Sequence, residues 1–297
     1  MSKNHNVATM EISIHKFETY VDGLDHAEDL AFDAEGILWA GGELGQVYRI
    51  PSKGRVEEVT CIGGFCLGLA FSPSDVLFIC NAKLASLVRV EKSGASTLFA
   101  DWAGNHKLKL PNYGVFDSAG NLYVSDSGDW STSNGCILRF DTGGHGTVFV
   151  KGPLPFPNGL ALSSDERVLF IAQSHTDDVL QVEIRDDGTP GNREIYVRGV
   201  ERVPDGLAFD LEGNLYVSCY ASDNIYRVSS DRKPTLLAYD PTGTVLARPT
   251  NIAFGGTARN ELYVANLGRW HINRTAIAIK GQPLANQKKA MNSGIIS

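Results

Sequence analysis

Pro204-Asp205-Gly206-Leu207-Ala208-Phe209-Asp210, followed two residues later by Gly213-Asn214-Leu215-Tyr216-Val217-Ser218, decides how this chain folds. Residues 207–209 and 215–218 are short apolar runs of strand length. Residues 210–214 between them carry the Gly and Asn that a tight turn needs. The unit recurs along the chain. Its leading residue is Glu28, Leu67, Asn112, Asn158 and Asp205 in turn, with a degenerate sixth copy led by Thr250. From Leu67 onward the leading residues lie 45, 46, 47 and 45 residues apart, and the first interval, Glu28 to Leu67, is 39. A β-rich repeat of about 45 residues is the period of a propeller blade.

The surroundings of that unit extend the pattern. After residues 215–218, residues 224–228 (with Ile225, Tyr226 and Val228) and 235–239 read as a third and a fourth strand. Apolar residues recur with period two or in short runs, never with a helical period. The expectation is an all-β, six-bladed β-propeller of four-stranded antiparallel blades, forming a single domain over residues 1–297. In the sixth copy, residues 251–254, 261–265 and 275–279 supply three strands and no fourth. Residues 12–21 resemble the strand that precedes Asp205. The N-terminal strand is therefore expected to complete the last blade and close the ring, which otherwise leaves an edge open. The polar tail, from about 285 to 297, is expected to be loosely ordered.

Composition narrows the function classes. The 297 residues are 43% hydrophobic and 21% charged, enough for a large core. A net charge of −7 provides no Lys/Arg surplus for nucleic acid, and suits a protein that holds a cation. No apolar run approaches membrane-span length, and residues 1–10 are polar, so neither a membrane partner nor a secretory signal is expected; a cytoplasmic location is the default. Cys61, Cys66, Cys80, Cys136 and Cys219 are scattered without a C-x-x-C pair and read as reduced, buried small hydrophobes.

The leading position is where the repeats differ. Glu28, Asn112, Asn158 and Asp205 all place an oxygen donor there, and in a ring these four converge on one mouth of the central channel. Two carboxylates and two carboxamides without His or Cys favour a hard divalent cation: Ca²⁺ first, with Mg²⁺ or Mn²⁺ possible, and Zn²⁺ with oxygen ligands also open. Taken singly, Asn158-Gly159 and Asp205-Gly206 are also common turn dipeptides. Four oxygen donors at one equivalent position need more than a turn. Leu67 and Thr250 leave an unliganded side, where a substrate is expected.

The segments led by Asp205, Asn158 and Asn112 resemble the signature segments of the regucalcin/gluconolactonase family, and the likeness runs from Glu28 to about Leu284. It implies a six-bladed propeller with one divalent cation held by Glu28, Asn158 and Asp205. It also implies that Asn112 binds substrate or completes the metal shell, and that Asp205 is the general base. The activity implied is hydrolysis of a sugar lactone or other small cyclic ester. The opening segment Glu28-Asp29-Leu30-Ala31-Phe32 departs from the family pattern and leans toward the strictosidine-synthase-like branch of propellers. Asn112 is followed by Tyr113 where many relatives carry Asp or Gly, which bears on substrate choice.

Metal-assisted hydrolysis of a lactone is the leading reading, because a cation can polarise the carbonyl and activate water. A metal-bound carboxylate is a weak base, so a nearby His could take the proton instead. His26, His175 and His271, with Tyr113, Asp126 and Trp130, are candidates to border the pocket. No Gly-x-Ser-x-Gly elbow supports a serine hydrolase. The other classes kept open are a non-catalytic propeller with a structural ion, and a lyase or condensing enzyme of the strictosidine-synthase-like type.

Overall fold

A computed structural model describes residues 10–294. Six four-stranded antiparallel sheets follow one another along the chain. Their inner strands are Leu30–Phe32, Cys66–Phe71, Pro111–Phe116, Pro157–Leu162, Pro204–Phe209 and Pro249–Gly255, one for each copy of the repeat. In blade five the four strands are Pro204–Phe209, Leu215–Cys219, Asn224–Val228 and Pro234–Tyr239, within a few residues of the sequence expectation. The turn in blade five has a local cause. Asp210 Oδ1 accepts the backbone N–H of Glu212 and Asn214, both at 2.9 Å, and Gly213 adopts a φ of 80° that a side chain disfavours.

The ring closes as the repeat count requires. Glu18–Val21 pairs antiparallel with His271–Ala276 and becomes the fourth strand of blade six. Glu18 ties this seam to both neighbours, through Arg274 at 2.6 Å and Lys53 at 2.5 Å. The core is divided into apolar layers between adjacent blades. Trp39, Phe71 and Ile79 fill the gap between blades one and two, while Phe170, Phe209 and Val217 fill that between blades four and five. Each layer needs both neighbours, so no blade buries its faces alone.

Two expectations are corrected. The third strand of blade six is His271–Ala276, not residues 275–279. Its polar start hides it from a hydropathy reading: Asn273 is buried because Asn266 Nδ2 donates to its Oδ1 at 2.7 Å. The tail is not loose over its described part. Ala285–Asn292 forms a helix that packs across one end of the channel, with Ala285, Asn286, Gln287 and Ala290 buried. Asn286 Nδ2 donates to the Phe32 carbonyl at 3.0 Å and Lys288 Nζ meets Glu166 at 2.7 Å. Residues 295–297 of the expected tail lie outside the described residues.

Candidate metal and substrate site

The leading residues sit near the start of their inner strands, at the channel end opposite the C-terminal helix. Asn158-Gly159 and Asp205-Gly206 lie inside strands, each with a bulge beside the preceding proline, and so are not turn dipeptides. Their glycines have a packing cause. A Cβ on Gly159 would overlap the Asp205 carbonyl, one on Gly206 would overlap Asn251, and one on Gly68 would overlap the Asn112 carbonyl. At these glycines, one residue past the leading position, neighbouring inner strands approach too closely for a side chain.

Entry to this level is strained. His26, Phe156, Val203 and Arg248, each two residues before a leading residue, have φ between 44° and 61°. For β-branched Val203, and for residues preceding Pro157, Pro204 and Pro249, this region is disfavoured, at about 1–3 kcal/mol each. Such strain persists only where the surroundings hold it.

Glu28, Asn158 and Asp205 come together. Burial first, then the Asp205 charge, holds the Glu28 carboxyl well above the usual range. Burial likewise pushes Asp205 up to about 8, with the nearby Asp29 adding to the rise and a hydrogen bond from Asn158 opposing it. Glu28 Oε2 is buried with no hydrogen-bond partner. Like charges crowded in a dry site, one oxygen of them orphaned, are what a divalent cation would relieve.

The carboxamides are oriented from behind. Asn112 Nδ2 donates to Ser127 Oγ at 3.0 Å, and Ser127 Oγ donates to the Pro157 carbonyl at 2.6 Å. One blade on, Asn158 Nδ2 donates to Ser174 Oγ at 3.3 Å, and Ser174 Oγ to the Pro204 carbonyl at 2.8 Å. The serines thus engage the amide nitrogens and leave the carboxamide oxygens as the ends able to meet a cation. These residues fit a hard divalent ion, which Glu28, Asn158 and Asp205 would hold, with Asn112 at the equivalent position of blade three.

The other predicted residues divide. Trp130 packs against Phe156 and His175, each with ring centroids 4.6 Å away, forming an aromatic wall two residues from Asn158. The His26 ring packs at a tilt against Trp270, with centroids 4.3 Å apart, and its Nδ1 lies 2.6 Å from Glu43 Oε2. Tyr113 reaches into the channel, where its hydroxyl meets Asn251 Oδ1 at 3.2 Å. Asp126 is occupied by the loop before Asn112, accepting the backbone N–H of Lys109 and Leu110 and meeting His106 Nε2 at 2.7 Å. His271 is buried, with Nε2 bonded to the Val245 carbonyl at 2.9 Å. His106, Asp126 and Cys136 also bring three ligand-type atoms together, as do Asp25, His26 and Glu43. In the first set His106 Nε2 lies 3.6 Å from Cys136 Sγ, whose thiol burial pushes up to about 12.

The leading-position reading passed over the residue behind it. That second position carries Asp29, Gly68, Tyr113, Gly159, Gly206 and Asn251. The Asp29 carboxylate accepts the Leu30 and Leu69 N–H groups at 2.6 and 2.5 Å, and burial raises its pKa well above the usual range. The same alignment that isolates Glu28 isolates Asp29.

Residues 33–267 match the model of the SMP-30/Gluconolactonase/LRE-like region. The chain belongs to this family. Among similar proteins, a 6-deoxy-6-sulfogluconolactonase of Pseudomonas putida is 28% identical over 84% of each chain. The Arabidopsis thaliana protein Strictosidine synthase-like 9 is 26% identical over 65% of this chain, which spans only 57% of that relative's length. The calcium-binding protein regucalcin of Agrobacterium tumefaciens superposes with a TM-score of 0.73 at 19% identity, covering 90% of this chain and 98% of that one. The last likeness shows the shared SMP-30/gluconolactonase fold. Among the described residues, no helix is long and apolar enough to cross a membrane.

Proposed function

We propose that this family member is a lactonase-like hydrolase that opens a small cyclic ester with the help of one divalent cation. The observation that carries the reading is the Glu28–Asp205 pair, two raised carboxyls with an orphaned oxygen, beside Asn158 at the mouth of the ring. The lactonase relative, alike over most of both chains, supports the reaction class. Ca²⁺ suits the oxygen-only donor set best, with Zn²⁺, Mg²⁺ and Mn²⁺ as the competitors.

When bound, the cation would polarise the ester carbonyl and make nearby water more acidic. The chain's own residues do the rest. Glu28 and Asn158 fix the site, and Asn112 presents its carboxamide oxygen to the ion or the substrate. Asp205 takes the proton from the attacking water, and that proton is available to the ring oxygen that leaves as an alcohol. His175 is the second candidate base, because its ring makes aromatic contacts and no hydrogen bond among the described residues. The wall of Trp130, Phe156 and His175 shields the mouth from bulk water and offers faces for an apolar part of the substrate.

Likeness to a strictosidine synthase-like protein favours one competing reading, a lyase or condensing enzyme that needs no stoichiometric metal. Elemental analysis of the purified protein, with a panel of lactones assayed before chelation, after it and after cation readdition, separates the two. Turnover lost on chelation and restored by cation supports the hydrolase, with Asp205→Ala lowering kcat by about 10²–10⁴-fold. Full turnover in Asp205→Ala would remove the base assignment. A chelator that only lowers the melting temperature, with no lactone opened, would make the ion structural.

A further inference from the structure

The channel is divided in two by one side chain. At the level where Gly68, Gly159 and Gly206 bring the inner strands closest, Tyr113 of blade three extends to Asn251 of blade six. Blades three and six stand opposite each other in a six-membered ring. A phenol that starts on one and hydrogen-bonds the other therefore crosses the channel. Its acceptor is held in place: Asn251 Nδ2 donates to the Leu30 carbonyl at 3.2 Å, and Asn251 Oδ1 also accepts the Ile252 N–H at 2.7 Å.

On the mouth side of this crossbar lie Glu28, Asn158 and Asp205. On the other side lies an apolar chamber of about 80 Å³, walled by Leu69, Ala70, Leu160, Ala161, Leu207 and Ala208. One water-sized group needs roughly 10–15 Å³, so the chamber has space for several. The C-terminal helix lies across its far end, tied by Asn286 to the Phe32 carbonyl and preceded by Gln282, whose Nε2 donates to the Leu162 carbonyl at 3.1 Å.

We propose that Tyr113 is the specificity-determining floor of the pocket. It confines substrates to compact lactones that fit above it, and keeps straight alkyl substituents out of the apolar chamber beneath. The class of substrate rests on the lactonase reading; the division of the channel does not. The crossbar works by bulk and reach, so Tyr113→Phe, which keeps the ring and loses only the hydroxyl, still blocks. Tyr113→Leu and Tyr113→Ala are too short to span the channel and join mouth to chamber.

The test uses the full, cation-loaded protein and two homologous series. Binding of 1-alkanols from butanol to octanol is measured by calorimetry, and kcat/KM is measured for γ-lactones with alkyl chains of matching length. In wild type and Tyr113→Phe, affinity stays flat with chain length. In Tyr113→Leu and Tyr113→Ala it rises about three- to fourfold per added methylene until the chamber is full. A steep rise already present in wild type, or a flat series in a folded Tyr113→Leu variant, overturns the proposal. An alkanol series that behaves as expected while no lactone is turned over by any variant overturns the lactonase reading and leaves the crossbar standing.

Discussion

Replacing Asp205 by Asn should stabilise the metal-free protein and weaken its response to cation. The folded-state carboxyl stands at about 8 against 3.8 for the free group. A folded value above the unfolded one means that the contribution to stability is whole below pH 3.8 and is lost as pH climbs through 8. At pH 7 the unfolded chain has Asp205 ionised while the metal-free fold holds it protonated. That gap of roughly three pH units, at about 1.4 kcal/mol each, costs the fold about 4 kcal/mol. The carboxamide of the Asp205→Asn variant would have no charge to bury, and Glu28 would lose its like-charged neighbour. Part of the gain is returned because the wild-type pair already shares its protons, so about 2–4 kcal/mol is expected, or on the order of 5 °C in Tm. Cation offsets this gain: it adds about 2.7 kcal/mol to wild type at a hundred times Kd and about 4.1 kcal/mol at a thousand times Kd, where the ranking reverses, and much less to the variant, which lacks one of the two carboxylates. Urea unfolding from pH 5 to 9, with and without cation, reads both effects. Wild-type stability should fall with pH across this window when metal-free, and the slope should be shallower in Asp205→Asn. A metal-free variant no more stable than wild type at pH 8, with an unchanged slope, would refute the reasoning.

Two further outcomes follow from the backing of the site. Ser174→Ala releases the Asn158 amide and should weaken cation affinity about 10–100-fold, with about 1–3 kcal/mol lost in stability because the Pro204 carbonyl loses its partner too; an unchanged affinity by calorimetry would show that Ser174 does not orient Asn158. Gly159→Ala drives a methyl into the Asp205 carbonyl and should cost about 2–3 kcal/mol in urea unfolding, so an alanine variant as stable as wild type would contradict the close strand approach.

Much of this architecture could be read from one repeated unit, because a blade needs its neighbours and the repeat reports every blade. Residues 204–218 spelled out strand, turn and strand, and the interval near 45 implied the ring. Closure was legible from a deficit: blade six lacked a strand and residues 12–21 were a strand without a partner. What hydropathy missed were elements whose buried groups are polar. The helix Ala285–Asn292 buries Asn286 and Gln287, and Asn286 is made compatible with burial by the Phe32 carbonyl, a partner 254 positions away. The same holds for His271 and Asn273 at the start of their strand. Likewise, sequence places three histidines near the mouth, but only side-chain directions show that His271 is spoken for while the His175 ring is not.

The degenerate sixth copy shows how variation within the repeat follows position in the ring. Blade six stands between the two blades that carry the carboxylates, Asp205 on blade five and Glu28 on blade one. Its leading Thr250 was expected to mark an open side for substrate. Instead the residue is held from both sides: Thr250 Oγ1 donates to the Glu28 carbonyl at 2.6 Å, and Ser218 Oγ of blade five donates to the Thr250 main-chain carbonyl. The threonine hydroxyl therefore ties blade six to the Glu28 backbone, while Ser218 ties blade five to the main chain of the same residue, so blade six links the two carboxylate-bearing blades. An oxygen ligand aimed into the mouth from this position would have added a donor and removed the tie to Glu28. Leu67 makes no such bond, which leaves blade two, between Glu28 and Asn112, as the side of the mouth without a polar group at the leading position. A compact lactone resting on Tyr113 would find there an apolar edge for its carbon skeleton, with its carbonyl turned toward Asn158 and Asp205 across the ring and Glu28 alongside.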